Sequence, residues 1–213
     1  MAENCTMNSQ EERSSLAGIL RDSALELLLT FLMLFGVISI VRWVIGPSPI
    51  SRMIPEIHAK LFIVGVGVAI LIAGLILSPP GRTTGGHMNP AITLAMWRFG
   101  VFRGVGVAPY IIAQLLGSVL GGLAARVVWG PVVAEAPVAY AVLGTSTGGS
   151  VNPARQFGPA ALSGQTRFLR VYLLAPMAGA FLATWLRQSI QRHRYVLTDR
   201  LCGNIRDRSP LSG

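Results

Sequence analysis

Residues 81–91 read GRTTGGHMNPA and residues 144–154 read GTSTGGSVNPA. Seven of the eleven aligned positions are identical, and Asn152 follows Asn89 by 63 residues (152 − 89), a match too close for chance. Asn is a strong helix N-cap, and Pro suits the first helical position because its missing N–H would have had no partner there. Each Asn-Pro-Ala therefore starts a helix. After Asn89 the chain continues PAITLAMWRFG and after Asn152 PARQFGPAALSG, so each helix has about two or three turns before Gly or Pro intervenes. The paired glycines ahead of each motif, Gly85-Gly86 and Gly148-Gly149, permit backbone conformations closed to bulkier residues.

The solvent around these motifs follows from composition. Of 213 residues, 52% are hydrophobic and 13% charged, and the mean hydropathy of +0.56 is too high for a typical soluble domain. The charges are segregated. Ala24–Ile40 contains only Glu26, Leu61–Leu77 and Val105–Ala125 contain none, and Val171–Leu186 is a fourth uncharged run. With their flanks these approach the roughly 20 residues that cross about 30 Å of hydrocarbon as a helix. Four spans follow, with a polar amino-terminal tail over 1–22, a membrane domain over 23–187 and a basic carboxyl-terminal tail over 188–213. No basic start runs directly into a short apolar segment and cleavage site, so a removable signal peptide is not expected.

The net charge of +9 invites a nucleic-acid reading that its distribution opposes. Arg187, Arg192, Arg194, Arg200, Arg206 and Arg208 lie at or beyond the end of the last run, and Arg82, Arg98 and Arg103 lie between the second and third. With Arg13 and Arg21 they share one side, against Arg42, Arg52, Lys60 and a few others on the opposite one, a balance that favours cytoplasmic termini in a multi-pass plasma-membrane protein. Contact with anionic lipid suits this charge better than nucleic acid. Seventeen Arg against one Lys points to a GC-rich bacterial source. Cys5 and Cys202 both sit in polar tails, so neither a disulfide framework nor a metal site is expected, and no cofactor is called for.

Loop backbone at membrane depth is tolerated only where protein buries it or where it lines a watery cavity. Two re-entrant loops, each feeding a half helix, thus imply a pore or central site, with positive helix ends and two Asn side chains offered to a passing solute. Neutral hydrogen-bonding solutes are favoured there and cations opposed. Arg155, directly after the second motif, adds a fixed charge near one mouth.

At these residues the chain resembles the aquaporin, or major intrinsic protein, family. The matching stretches are GGHMNPAIT, GGSVNPARQFGPA, ELLLTF at 26–31 and YIIAQLLG at 110–117, and the likeness covers about residues 24–129 and 144–187. It implies an all-α membrane bundle, with half helices meeting at Asn89–Pro90–Ala91 and Asn152–Pro153–Ala154, that conducts water or small uncharged solutes. Asn89, Asn152, Arg155, Gly149 and, from the second span, Val66 are the expected solute contacts; Gly149 and Val66 would leave the constriction wide. It also implies a Glu26–His87 contact supporting the first loop, to be weighed against Glu26 snorkelling to the interface. A homo-oligomer, by family resemblance a tetramer, is the implied assembly.

The resemblance is incomplete in the middle. Only 22 residues, 126–147, separate the third run from the second motif, where two further spans would take about 40. The fourth and fifth spans of the family pattern are missing, although removing two consecutive spans preserves the direction of everything that follows. A non-conducting subunit that oligomerises or joins full-length relatives is the alternative function. An enzyme is not expected, since no nucleophile–base set, phosphate loop or ligand cluster is visible. Gly117 and Gly121, and Ala175, Gly179 and Ala183, form small-residue rows suited to helix packing, while Pro109 and Pro176 are expected to bend their helices.

Overall fold

The computed structural model describes residues 15–130, 151–164, 166 and 168–190. In chain order the helices are α1 (Leu16–Val44), α2 (Pro49–Met53), α3 (Ile57–Leu77), α4 (Pro79–Thr84), α5 (Pro90–Arg98), α6 (Val107–Trp129, entered through a 3₁₀ turn at Gly104–Gly106), α7 (Pro153–Ser163) and α8 (Leu169–Ile190). Among the described residues, four helices are long and apolar enough to cross a membrane: α1, α3, α6 with its 3₁₀ turn, and α8. They coincide with the four apolar runs. α1 begins at Leu16, capped by the Ser15 hydroxyl, and so reaches into the stretch that the sequence assigns to a tail.

The core is the pairing of α1 with α6. A Cβ on Gly117 would strike the Leu27 carbonyl, and one on Gly121 the Phe31 carbonyl, so these glycines let the two backbones touch. The partners Leu27 and Phe31 are themselves one turn apart on α1. At the far end Trp129 closes over Trp43 edge-on and donates Nε1–H to Ser39 Oγ at 2.9 Å. α3 lies against another face of α1, with Val64 fully buried and Leu71 and Leu75 packed on Leu29, Met33 and Leu34.

The half helices sit inside this frame. α5 leans on α8, where Gln188 Nε2 donates to the Arg98 carbonyl at 2.7 Å and the guanidinium groups of Arg98 and Arg187 lie over the rings of Phe181 and Phe99. α7 crosses α6 so closely that a Cβ on Gly158 would strike the Ser118 carbonyl. That close approach explains why α7 carries a glycine mid-helix.

α3 and α8 are the lightly packed members. Of their most apolar stretches 6% is buried, against 44% in α1 and 39% in α6. The expected packing row on α8 meets nothing: a Cβ on Gly179 would have no atom within 4 Å, and Ala175 and Ala183 are exposed. The face is built for close approach, but no described helix reaches it. Pro109 also differs from expectation, because it falls in the first turn of α6, where a missing N–H breaks no helical bond.

Candidate functional site

The two Asn-Pro-Ala motifs meet end to end. Asn89 is extended (φ −159°) and its Oδ1 accepts from Ala91 N at 2.9 Å; Asn152 is extended (φ −120°) and its Oδ1 accepts from Ala154 N at 3.0 Å and Arg155 N at 3.3 Å. Pro90 and Pro153 hold the first helical positions, and both are buried with Ala91 and Ala154. Capping by oxygen turns each amide nitrogen outward. Asn152 Nδ2 donates to the Met88 carbonyl at 2.9 Å and Asn89 Nδ2 to the Val151 carbonyl at 3.3 Å, so each motif is tied to the residue preceding the other's Asn. An amide carries two N–H groups; this tie occupies one at each Asn, and Asn152 Nδ2 also donates to Met33 Sδ at 4.0 Å.

Met88 makes the join possible. It is the one non-glycine residue with positive φ (44°) among the described residues, a conformation that persists only where surroundings enforce it. Its surroundings do so from both sides: its N–H donates to Glu26 Oε2 at 2.8 Å while its carbonyl receives Asn152. Gly85 (φ 89°) and Gly86 (φ 58°) take the preceding left-handed turns, as expected of the paired glycines.

Glu26 anchors this loop from α1. It is fully buried, which rules out the snorkelling alternative. Oε1 accepts from Thr84 Oγ1 (2.7 Å) and His87 N (2.9 Å), and Oε2 from Met88 N (2.8 Å) and Gln114 Nε2 (2.9 Å). The contact with His87 thus runs through its backbone, and the imidazole turns elsewhere. Its Nδ1 lies 3.1 Å from Thr93 Oγ1, which donates to the Asn89 carbonyl (3.2 Å) and accepts from Gln114 Nε2 (3.0 Å). With the Thr93 hydrogen committed to that carbonyl, Nδ1 carries the proton and donates. The ring packs against Phe102 and Tyr110, and Tyr110 Oη donates to the Thr84 carbonyl at 3.3 Å.

Thr84, Met88, Thr93 and Gln114 were not singled out from the sequence as site residues. Gln114 was within reach, being the one polar side chain centred in YIIAQLLG. Arg155 is partly buried at the start of α7 with its N–H on the cap. Val66 is 43% exposed on α3. Gly149, with Gly148 and the intervening stretch that includes Glu135, lies outside the described residues, as do the arginines beyond α8.

The family model described as Major intrinsic protein matches residues 12–140 and 135–187, most of the chain. The chain belongs to the major intrinsic protein family. Among relatives of this family, the probable aquaporin AqpM of Archaeoglobus fulgidus is 30% identical, over 59% of this chain and 74% of its own length. Aquaporin Z of Photorhabdus laumondii is 33% identical (73% and 61%), and Aquaporin-8 of Mus musculus 28% identical (61% and 72%). The match to AqpM is longer on the relative's side than on this one. Its 184 positions draw on 59% of 213 residues, about 126, which leaves about 58 positions of the relative opposite no residue here. Two spans with their connections have that length. Among its described residues this major intrinsic protein has both half helices and four helices long and apolar enough to span a membrane.

Proposed function

We propose that the chain is a passive membrane channel for water or small uncharged solutes, and that Asn89, Asn152 and Arg155 contact the solute. The observation that carries this reading is the reciprocal tie between the motifs, Asn152 to the Met88 carbonyl and Asn89 to the Val151 carbonyl. It brings two helix N-termini, each equivalent to roughly half a positive charge, to one point inside the bundle. Amide donors beside such a field hold the oxygen of a neutral solute and repel cations. Glu26, Gln114 and His87 act behind the first loop and keep its carbonyls and Met88 in place. Family membership and the aquaporin relatives support the same reading, and no observation favours a non-conducting subunit over it.

The chain works in the plasma membrane with both termini cytoplasmic, and as a homo-oligomer, by family resemblance a tetramer. Support for assembly comes from α3 and α8. They leave most of their apolar surface open in a chain that lacks about 58 positions of its relative, so a neighbouring copy has wall to supply. The test of selectivity is flux of water, glycerol, K+ and protons through the same proteoliposomes. Neutral flux without ion flux is expected; ion leak on the scale of the water signal contradicts the proposal.

A further inference from the structure

The last turn of α1 carries Trp43, which meets Trp129 in the last turn of α6 edge-on, with ring centres 5.7 Å apart. Tryptophan is enriched at the boundary between hydrocarbon and water, where one end of its ring system is apolar and the other carries an N–H. The chain does not leave that level after α1. Ser48 Oγ donates to the Trp43 carbonyl, Ser51 Oγ to the Ile45 carbonyl at 3.2 Å, and Arg42 Nη1 to the Pro47 carbonyl at 2.9 Å. These bonds fold α2 back onto the end of α1, at the height of Trp43.

The short helix is inverted relative to one that faces water. Its polar side chains point inward: Ser48 and Ser51 are 4% and 8% exposed, Ser48 Oγ caps α2 by accepting from Ser51 N at 2.9 Å, and Ser51 Oγ accepts from Lys60 Nζ of α3 at 2.8 Å. Its large apolar side chains point outward. Ile50 and Met53, three residues apart and so on one face, are 43% and 81% exposed, and Trp43 is 40% exposed. Apolar surface is stabilised by leaving water, so an aqueous loop would carry the opposite arrangement. The open apolar surface also continues into the spanning helix that follows, where Phe62 of α3 is exposed. Between Ile50 and Met53 lies the exposed Arg52, and over residues 42–60 Arg42, Arg52 and Lys60 face Glu56 alone, an excess of two positive charges (3 − 1). An arginine stem can lie along apolar surface while its head reaches anionic phosphates.

We propose that α2 is an interfacial anchor whose partner is the lipid bilayer: Ile50 and Met53 enter the boundary between headgroups and acyl chains at the level of Trp43, and Arg52 reaches out to the phosphates. The proposal rests on the membrane-spanning reading of α1 and α3 and is independent of conduction.

The test is nitroxide labelling of the full chain in phospholipid vesicles, with Cys5 and Cys202 replaced by Ser and a single label at Met53→Cys or, in a second variant, Ile50→Cys. Both side chains are exposed, so either label is carried without disturbing the buried Ser48 and Ser51. Collisions with molecular oxygen, which concentrates in hydrocarbon, are compared with collisions with a water-soluble nickel chelate. Both labels are expected to meet oxygen more than chelate. Labels that meet chiefly the chelate lie in water and overturn the anchor. Labels shielded from both reagents, with spin–spin broadening, lie against a second copy of the chain and overturn the lipid assignment. A label at Ile70→Cys, an exposed position on α3, separates this claim from the reading beneath it. Chelate contact at Met53 with oxygen contact at Ile70 overturns the anchor alone, whereas chelate contact at both overturns the spanning of α3 with it.

Discussion

Glu26 carries more of the site than either Asn. Four donors converge on its two oxygens, and they belong to α6 and to three residues of the first re-entrant loop. Glu26→Ala leaves all four buried donors without an acceptor. Glu26→Gln keeps one oxygen and turns an NH₂ group toward two of them. Each stranded donor costs about 1–3 kcal/mol, so the glutamine variant is expected to lose about 3 kcal/mol of stability and the alanine variant more. Thermal unfolding in detergent checks the order wild type, Gln, Ala; an unchanged midpoint in Glu26→Gln would show that the carboxylate does not hold the loop. Met88→Gly is a milder case. Glycine relieves the positive φ but removes a buried side chain of the core cluster. We expect the loss of burial, about 2–5 kcal/mol for a large apolar side chain, to outweigh the relief of about 1 kcal/mol.

Helix packing divides the glycines into two kinds. Gly117, Gly121 and Gly158 sit where a Cβ would meet a backbone carbonyl of the neighbouring helix, which cannot give way as a flexible side chain can. Gly117→Leu must push α1 and α6 apart and is expected to abolish folding, measured as loss of monodisperse protein on size-exclusion chromatography. Gly65, Gly74 and Gly179 have open space instead. The sequence distinguished these two kinds only in part. Gly117-x-x-x-Gly121 and Ala175-x-x-x-Gly179 look alike as patterns, and only the position of α1 decides that the first is filled. The spans and both half helices were legible, because a run of uncharged residues and an Asn-Pro start each act locally. The Glu26 network was legible at one end only: its partners lie 58 to 88 residues away, and a backbone N–H leaves no mark in a sequence.

Among the described residues, four spans pack with two half helices, and α3 and α8 are the lightly covered ones. A chain that belongs to the major intrinsic protein family yet lacks about 58 positions of the AqpM relative has two lightly covered walls, and assembly would cover them. Gly179→Leu is expected to leave the monomer folded, since nothing lies within 4 Å of the added Cβ, but to weaken association. Light scattering in detergent reads this as a fall from a multiple of the 22.7 kDa chain toward its single mass. An unchanged assembly would assign that face of α8 to lipid.

The central claim is that two opposed half helices, in a bundle of four spans, form a path for water. Its most direct test is the temperature dependence of osmotic water permeability in vesicles holding the purified, correctly oriented chain, beside empty vesicles and Asn152→Asp. The account predicts permeability above that of empty vesicles, with an activation energy close to that of water diffusing in bulk, and loss of that component in the variant. Permeability and activation energy equal to those of empty vesicles, with the protein inserted, would contradict it.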